Sequence, residues 1–206
     1  MIIAVDGPAA AGKGTIARAL AKHFGYHFLD TGTLYRRVGL ALLQSDVSPD
    51  DHKAAVAIAR NLNSHPYSDL ELRTEAVGAA ASIVAVIPAV RQALLVYQRS
   101  FAEQPPGAVL DGRDIGTVVC PRAEVKLFIT ASREVRARRR FAELQSYGAD
   151  VKFETVSEEI KKRDERDKTR ATAPLVPADD AITIDTSKMT VEAAIAAAVK
   201  AASSAR

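Results

Sequence analysis

Cysteine, tryptophan and aromatic residues in general are scarce in this chain of 206 residues. Cys120 is the only cysteine, tryptophan is absent, and aromatic residues make up 5% of the sequence. A single cysteine excludes an intrachain disulfide, so the disulfide scaffold of small secreted domains is excluded and a reducing compartment is favoured. The four histidines show no paired ligand spacing, which argues against a metal site built from protein groups alone.

The chain also lacks a strong charge of one sign and a long hydrophobic run. Lys and Arg number 28 against 25 Asp and Glu, too small an excess for a nucleic-acid-binding tail. The longest nearly apolar stretch, Ala76–Val90, is shorter than the ~20 residues of a membrane span, and the N-terminus has no basic signal-peptide region. We expect a cytoplasmic monomer with no membrane or nucleic-acid partner. Eighteen of the basic residues are arginine, which favours a small phosphorylated substrate.

A glycine-rich segment follows the first apolar run, Ile2–Val5. A strand, a glycine loop and a helix N-terminus together offer backbone N–H groups to phosphate oxygens, and a lysine adds a mobile cation. The next helix has apolar residues at four-residue spacing before Gly25, which makes a chance glycine-rich turn the weaker alternative. The predicted ATP-binding residues are Gly7, Pro8, Ala9, Ala10, Ala11, Gly12, Lys13, Gly14 and Thr15.

Five short apolar runs alternate with helical patterns along the chain. They are Ile2–Val5, Tyr26–Leu29, Ala108–Leu110, Val125–Ile129 and Ala181–Ile184. Continuous apolar runs of this length are typical of parallel strands covered on both faces, so we predict an α/β fold with a five-stranded parallel sheet. Ligands bind such sheets beyond the carboxyl ends of the strands, where Asp30, Asp111 and Asp185 stand.

The sequence predicts a single domain whose sheet is interrupted by two long segments. The core comprises residues 1–30, 107–140 and 173–206; a largely helical subdomain is inserted at about 31–106, and a lid lies at about 141–172. These segments are too long for simple crossovers between parallel strands.

Two carboxylates at strand ends are candidates for the chemistry. Asp111 can orient a magnesium ion through water, and Thr15 is a second candidate ligand, although Gly14 stands where a metal-binding Ser or Thr is common. An ordinary Asp-Gly turn is the alternative for Asp111. Asp30 and Thr31 lie at the start of a predicted helix, where a capping role is compatible with function.

Two arginine-rich segments are more ambiguous. Arg163, Asp167 and Arg170 have the spacing of one helix face, for which a solvated salt-bridge ladder is the usual explanation. The cluster from Arg136 to Arg140 could contact nucleic acid, but it has no interleaved aromatic residues. We favour a clamp on a transferring phosphoryl group.

Taken together, these motifs resemble those of the bacterial cytidylate kinase family. The resemblance rests on the Gly-Lys-Gly-Thr loop, Leu29–Gly32, Tyr35-Arg36, Asp111–Thr117, Arg163–Arg170 and Ala173-Pro174-Leu175, and it runs through nearly the whole chain. It implies a P-loop kinase that transfers the γ-phosphoryl of ATP to CMP or dCMP, with Mg²⁺, through a core, a nucleoside-monophosphate-binding subdomain and a short lid.

The resemblance also implies roles for individual residues. The cytosine would be contacted by Ser82, Arg91 and Asp114, and the acceptor phosphate by Arg36, Arg113 and Arg170. The sugar would be contacted by Arg163 and Asp167, and Thr31 would belong to the same acceptor site. Lys13, Arg113, Arg136, Arg139 and Arg140 would act on the transferred group.

Two departures from the family pattern stand out, and two other functions remain open. Thr31 replaces a common Ser, and a strand-rich insertion is reduced to Asn63–Thr74. A kinase for another small acceptor is the nearest alternative. A nucleotide-switched binding protein is the alternative of a different class, although the chain lacks the Asn-Lys-x-Asp guanine-reading motif.

Overall fold

The computed structural model describes residues 1–62 and 67–204 and places them in two compact units. The larger unit comprises Met1–Leu29 with Ala102–Arg206, and the smaller unit is Asp30–Phe101. The strands are β1 (Ile2–Asp6), β2 (His27–Asp30), β3 (Ala108–Asp111), β4 (Val125–Thr130) and β5 (Ile182–Asp185). The helices are α1 (Lys13–Phe24), α2 (Thr31–Gln44), α3 (His52–Arg60), α4 (Asp69–Leu72), α5 (Glu75–Val84), α6 (Pro88–Ala102), α7 (Arg133–Ser146), α8 (Phe153–Thr169) and α9 (Val191–Ser203).

The five strands form one all-parallel sheet in the order β2-β3-β1-β4-β5, which confirms the predicted fold class. Each predicted apolar run became a strand, with bounds that differ by one or two residues. In the register, Val5 is opposite Asp111 and Asp6 is opposite Phe128. The carboxyl end of the central strand β1 therefore lies between the ends of β3 and β4, where polar groups are brought together.

Helices α1 and α9 contribute to the core of the larger unit. Ile16 and Leu20 of α1 are buried, and Phe24 packs partly buried at its end. Gly25 ends α1 as the spacing predicted, with φ 68° and its N–H bonded to the carbonyl of Ala21. This left-handed C-terminal conformation is one that glycine adopts without strain. Helix α9 presents a buried alanine row at four-residue spacing, Ala194, Ala198 and Ala202.

The smaller unit is built around the contact between α2 and α5. A Cβ added at Gly39 of α2 would lie 2.9 Å from the Ala80 Cβ and 3.0 Å from the Ala81 nitrogen, so only glycine permits this approach. Of the predicted reduced insertion Asn63–Thr74, residues 63–66 lie outside the described residues. The rest contains α4, a single turn capped by a reciprocal bond pair between Ser68 and Glu71.

Two helices and two shorter features complete the larger unit. Helices α7 and α8 meet through a T-shaped pair of Phe141 and Phe153, with ring centroids 5.8 Å apart. Residues Ile115–Val119 form one π-helical turn after β3, a local form that is often found near functional sites. Arg170 follows α8 instead of lying within it, so the predicted face of three residues extends just past the helix end.

Across the described ranges, no single helix has both the length and the apolar composition needed to cross a bilayer. Helices α5 and α6 reach those values only as a pair, and the pair is bent by 100°.

We predict that Leu42→Ala destabilises the protein by about 2–5 kcal/mol, whereas the adjacent Leu43→Ala costs less than about 1 kcal/mol. Leu42 is fully buried in the apolar cluster of the smaller unit, and Leu43 is 36% exposed on the same helix. Chemical denaturation of both variants measures the difference. Equal losses would mean that α2 does not pack as described.

Candidate active site

The segment from Gly7 to Thr15, called the phosphate loop below, turns sharply between β1 and α1. Gly7, Ala10 and Gly12 have φ values of 144°, 58° and 93°. A Cβ at Gly7 would lie 1.9 Å from the carbonyl oxygen of Ile129 on β4, so no other residue fits there without moving the backbone. The loop is thereby held close to the sheet, and α1 begins directly at Lys13.

Lys13 and Asp111 come together at the carboxyl edge of the sheet. The Lys13 ammonium donates to the carbonyl of Pro8 at 2.9 Å and lies 3.8 Å from the Asp111 carboxylate. The other Asp111 oxygen would be 3.3 Å from a Cβ at Gly14, so the carboxylate lies against the first turn of α1. Both Lys13 and Asp111 are buried, whereas Thr15 is exposed.

This arrangement fits a magnesium ion that takes most of its ligands from elsewhere. Within residues 1–62 and 67–204, no group of three or more histidine, cysteine or acidic side chains could hold a metal. Mg²⁺ in phosphoryl-transfer sites is commonly bound by one or two carboxylates together with substrate phosphates and water. Asp111, beside the first turn of α1, suits that pattern.

Two ion pairs, each with a buried carboxylate, lie around the Asp-Gly-Arg-Asp segment, residues 111–114. Arg113 donates to the Asp167 carboxylate at 3.0 Å. Arg170 lies 3.4 Å from the Asp114 carboxylate and also donates to the carbonyl of Ala173, which has a φ of 52°. Four of the predicted acceptor-site residues therefore form one connected group in the larger unit.

Asp167 is held ionised by its arginine neighbours. Burial raises the pKa of its carboxyl, but the charges of Arg113, Arg163 and Arg170 outweigh burial and leave the pKa below its usual range. Elsewhere on this helix, Glu159 pairs with Lys162, as in the salt-bridge ladder considered for it. Asp167 itself joins α8 to the segment after β3.

Arg136 binds several groups in the larger unit. It is buried, and its Nε donates to the carbonyl of Ala131 at 2.9 Å. Its terminal nitrogens hold Asp164 of α8 in a two-pronged pair at 2.9 and 2.6 Å, and one of them lies 3.3 Å from the carbonyl of Ala9. Arg136 thus links the phosphate loop to α8.

Arg139 and Arg140 differ from Arg136 and from each other. Arg139 donates to the hydroxyl and the carbonyl of Thr186, both at 2.9 Å, and lies 3.3 Å from the carbonyl of Ala11. Arg140 pairs with Glu143 of its own helix at 3.0 Å. Two of these three arginines of α7 therefore contact backbone carbonyls of the phosphate loop.

A cavity of about 210 Å³ adjoins the phosphate loop in the larger unit. Its lining includes predicted residues and others that the sequence reasoning missed: Ala11, Gly12, Thr15, Ile16, Arg139, Thr186, Met189, Thr190, Val191 and Ala194. Thr186 directly follows β5, so the rule that directs attention to residues after strands could have found it. Met189 and Val191 carry no such signal.

The predicted residues of the smaller unit lie on α2, α5 and α6. Arg36 donates to the carbonyl of Leu72, and a Cβ at Gly78 would be 3.3 Å from its guanidinium. Arg91 is buried, donates to the carbonyl of Ala85 at 3.2 Å and lies 5.6 Å from the ring centre of Tyr35.

The two other predicted residues of the smaller unit, Thr31 and Ser82, are also buried. Asp30 occupies the N-cap position of α2, but its side chain makes no capping hydrogen bond. The helix therefore gains no side-chain cap from the aspartate for which that role was considered.

A larger cavity, of about 400 Å³, also lies in the smaller unit, but none of the predicted residues lines it. Its lining consists of Leu34, Arg37, Ala59, Arg60, Asn61, Leu62, Ala93, Leu94 and Tyr97. Size alone therefore does not locate the candidate site.

Asp6 is a further buried carboxylate that the sequence reasoning missed. Its two oxygens accept from the backbone N–H groups of Ile115 and Gly116 at 2.8 and 2.7 Å. Burial raises the pKa of Asp6 to about 6, against the lowering effect of these bonds; nearby Asp114 raises the pKa further and Lys13 lowers it. No sequence motif identifies this contact, because it joins residues 109 positions apart.

Comparison with known proteins agrees with this geometry. The cytidylate kinase family model matches residues 3–204. This chain belongs to the cytidylate kinase family. It is 56% identical over 203 residues to a cytidylate kinase of Rhodospirillum rubrum, covering 97% of this chain and 95% of the relative. It is 55% identical over 199 residues to one of Methylocella silvestris, with coverage of 97% and 92%.

Solved structures that resemble this fold are more distant in sequence. A protein of Eubacterium ventriosum described as uncharacterized matches with a TM-score of 0.56 at 17% identity, covering 99% of this chain and 98% of that one. TT1252 from Thermus thermophilus matches with a TM-score of 0.51 at 22% identity, covering 99% and 96%. At such identities the likeness shows the fold alone, so the family assignment rests on the sequence relatives.

We predict that Asp6 makes the protein less stable as the pH rises from about 4 to about 6. The pKa of Asp6 is about 6 in the folded chain, against an ordinary value of 3.8, so between these pH values the carboxyl is mostly protonated in the folded chain and mostly ionised in the unfolded chain. The free energy of unfolding of the wild type minus that of Asp6→Asn should fall by about 3 kcal/mol across this range and then level off.

The control for this measurement is Asp180→Asn. The hydrogen bond from Lys126 lowers the pKa of the exposed Asp180 carboxyl. The free energy of unfolding of the wild type minus that of Asp180→Asn should therefore rise as the pH rises through the pKa of this carboxyl. Denaturant titrations at a series of pH values supply both curves. If the free energy of unfolding of the wild type minus that of Asp6→Asn rises with pH, the proposed cost of burying the Asp6 charge is wrong.

Proposed function

We propose that this protein transfers the γ-phosphoryl group of ATP to CMP or dCMP, giving ADP and CDP or dCDP. The observation that carries the proposal is the phosphate loop, with Lys13 beside Asp111, in the same unit as the paired arginines of the Asp-Gly-Arg-Asp segment. Membership of the cytidylate kinase family supports it. We also propose a cytoplasmic monomer without membrane or nucleic-acid partners, on the basis of the single cysteine and the small net charge.

ATP is proposed to bind through the phosphate loop, Gly7–Thr15. The loop backbone and the N-terminus of α1 suit the phosphates, because both offer N–H groups to anionic oxygens. The adjoining cavity of about 210 Å³ is the proposed position of the adenosine, with Arg139 and Thr190 in its lining. Lys13 is proposed to exchange the Pro8 carbonyl for a phosphate oxygen on binding, because the phosphate oxygen is anionic and the carbonyl is neutral.

Magnesium is proposed to be held by Asp111 and Thr15 through water. When bound, it would neutralise charge between the β- and γ-phosphates. The buried Asp111 also lies 3.8 Å from Lys13, which keeps the lysine side chain directed along the sheet edge.

The acceptor nucleotide is proposed to bind the residues that the family resemblance implies. In the larger unit they are Arg113, Asp114, Arg163, Asp167 and Arg170; in the smaller unit they are Thr31, Arg36, Ser82 and Arg91. Arg113 and Arg170 are each fixed by a buried carboxylate, so their guanidinium groups lose little freedom on binding phosphate. Such fixed donors suit an acceptor that must be aligned with the transferred group.

Catalysis is proposed to depend on positioning and charge neutralisation, with no covalent intermediate and no dedicated base. Lys13 and Arg113 would stabilise charge that develops on the phosphoryl oxygens. Arg139 and Arg140 would contribute from α7. Arg136 would act chiefly by holding the phosphate loop, because its guanidinium bonds Ala131, Ala9 and Asp164.

We predict that the wild type forms diphosphates from CMP and dCMP with ATP and magnesium, and that Lys13→Ala lowers turnover by ~10²-fold or more without loss of the fold. Coupled detection of ADP against a panel of nucleoside monophosphates and other small acceptors provides the measurement. Lys22→Ala is the matched control, because Lys22 is an exposed residue of the same helix.

Three outcomes of this assay would each count against part of the proposal. Failure to phosphorylate any monophosphate would reject the kinase activity and favour a binding protein. Preference for an acceptor other than CMP or dCMP would keep the kinase activity and change the substrate. Near wild-type turnover of Lys13→Ala would remove Lys13 from the mechanism.

We further predict that the wild type prefers CMP to UMP and that Asp114→Ala reduces this preference. Cytosine offers an amino group to a carboxylate, whereas uracil presents a carbonyl oxygen, and the resulting unpaired acceptors cost about 1–3 kcal/mol. The measurement is the ratio of kcat/KM for the two acceptors, with the exposed Asp179→Ala as control. An unchanged ratio in Asp114→Ala would exclude Asp114 from base selection.

A further inference from the structure

The Asp-Gly-Arg-Asp segment is fastened at both ends by consecutive residues of β1. At its start, the N–H of Gly112 donates to the carbonyl of Val5 at 2.9 Å. Beyond its end, the N–H groups of Ile115 and Gly116 donate to the Asp6 carboxylate at 2.8 and 2.7 Å. Between these fixed points lie Arg113 and Asp114, two of the proposed acceptor-binding residues.

We propose that Asp6 is a positioning residue for acceptor recognition, which sets the placement of Arg113 and Asp114 by anchoring the first turn after them. This inference rests on the proposed function. Asp6 has no proposed contact with either nucleotide, and it acts through the backbone of residues 115 and 116. The role is therefore distinct from that of Asp114, which is proposed to touch the base.

The geometry needs a group with two acceptor oxygens. Ile115 and Gly116 begin the π-helical turn, and the first N–H groups of a helical turn have no partner within it. Asp6 is 5% exposed, so water does not readily replace its oxygens as acceptors. An asparagine at position 6 has one acceptor oxygen and would turn its NH₂ toward one of the two N–H groups.

The surrounding space favours a short carboxylate at this position. A Cβ at Gly116 would lie 3.4 Å from an Asp6 oxygen and 3.1 Å from the aliphatic part of Lys126. The absence of a side chain at position 116 thus lets the N–H group approach the carboxylate. Gly116 and Asp6 form a matched pair across the two segments.

The cost of this carboxylate also points to a role beyond stability. Burial raises the pKa of Asp6 to about 6, so the two hydrogen bonds do not fully repay the removal of its charge from water. At neutral pH the group is nevertheless ionised, and its bonds to the two N–H groups are charge-assisted. Such bonds hold the turn in one place more firmly than those of a neutral acceptor.

The decisive experiment compares Asp6→Asn with Asp179→Asn in the assay of CMP and UMP phosphorylation. In Asp6→Asn we expect kcat/KM for CMP to fall about 10-fold or more, because one buried N–H loses its acceptor. The CMP/UMP ratio of kcat/KM should fall with it, while KM for ATP changes less than about 3-fold. Asp179→Asn makes the same chemical change at an exposed position and should leave all three values unchanged.

Hydrogen exchange supplies a readout that does not depend on activity. The amides of residues 115 and 116 should be protected in the wild type and exchange faster in Asp6→Asn, while strand β4 keeps its protection. The inference would be overturned if Asp6→Asn lost amide protection throughout the protein and also lost ATP binding and CMP phosphorylation to the same degree. That result would indicate a structural role only. An unchanged CMP/UMP ratio would overturn the inference as well.

Gly116→Ala decides the question if Asp6→Asn does not fold. The added methyl group would lie 3.4 Å from an Asp6 oxygen and crowd Lys126 at 3.1 Å, and it leaves the charge of Asp6 in place. We expect a smaller loss in the same direction, with the CMP/UMP ratio reduced, and an unchanged ratio would overturn the inference. If the wild type does not phosphorylate CMP, the proposed function is rejected. If the wild type prefers CMP to UMP and both variants keep the same CMP/UMP ratio, only the role of Asp6 is rejected.

Discussion

Pairing of buried charges is the constraint on which the rest of this structure depends. Arg113, Arg136 and Arg170 are held in the larger unit by carboxylates, with side chains no more than 18% exposed. A buried guanidinium without such a partner would cost several kcal/mol, so these three arginines each require an anion that the fold holds in place. Arg139 instead donates to neutral oxygens of Thr186 and Ala11.

The central strand β1 contacts the segments at the ends of both neighbouring strands, β3 and β4. Its end leads directly into the phosphate loop, and Val5 and Asp6 hold the segment that follows β3. Ile129 of β4, on the other side, presses against Gly7 and leaves no room for a side chain. A displacement of either neighbouring strand would therefore move the phosphate loop, because the close contact at Gly7 leaves the loop little conformational freedom.

The sequence predicted the features that depend on local pattern and failed on those that depend on distant pairing. The five strands could be found because buried parallel strands are continuous apolar runs, and α1 because its spacing ends at Gly25. Asp6 could not be found, since nothing near it in the sequence shows that its partners are Ile115 and Gly116. The pairing follows from the register of β1 against β3, which only the folded sheet fixes.

The same limit explains why the arginines of α7 were treated as one group although they act separately. Their spacing identifies a basic helix, but their partners come from other segments: Asp164 for Arg136 and Thr186 for Arg139. The family resemblance implied residues that would face the substrates, since such residues form recognisable motifs. It did not identify Thr186, because a residue that orients another side chain leaves no motif around itself.

Helix α8 then gains a role that neither motif nor composition suggests. Asp164 and Asp167 lie three residues apart, a spacing that places them on neighbouring positions of one face. Asp164 holds Arg136, which reaches the phosphate loop at Ala9, and Asp167 holds Arg113 beside β3. One rigid turn of helix therefore fixes the distance between the proposed donor loop and a proposed acceptor arginine. A displacement of α8 would move both ion pairs together. The phosphate loop and Arg113 are therefore positioned by the same helix.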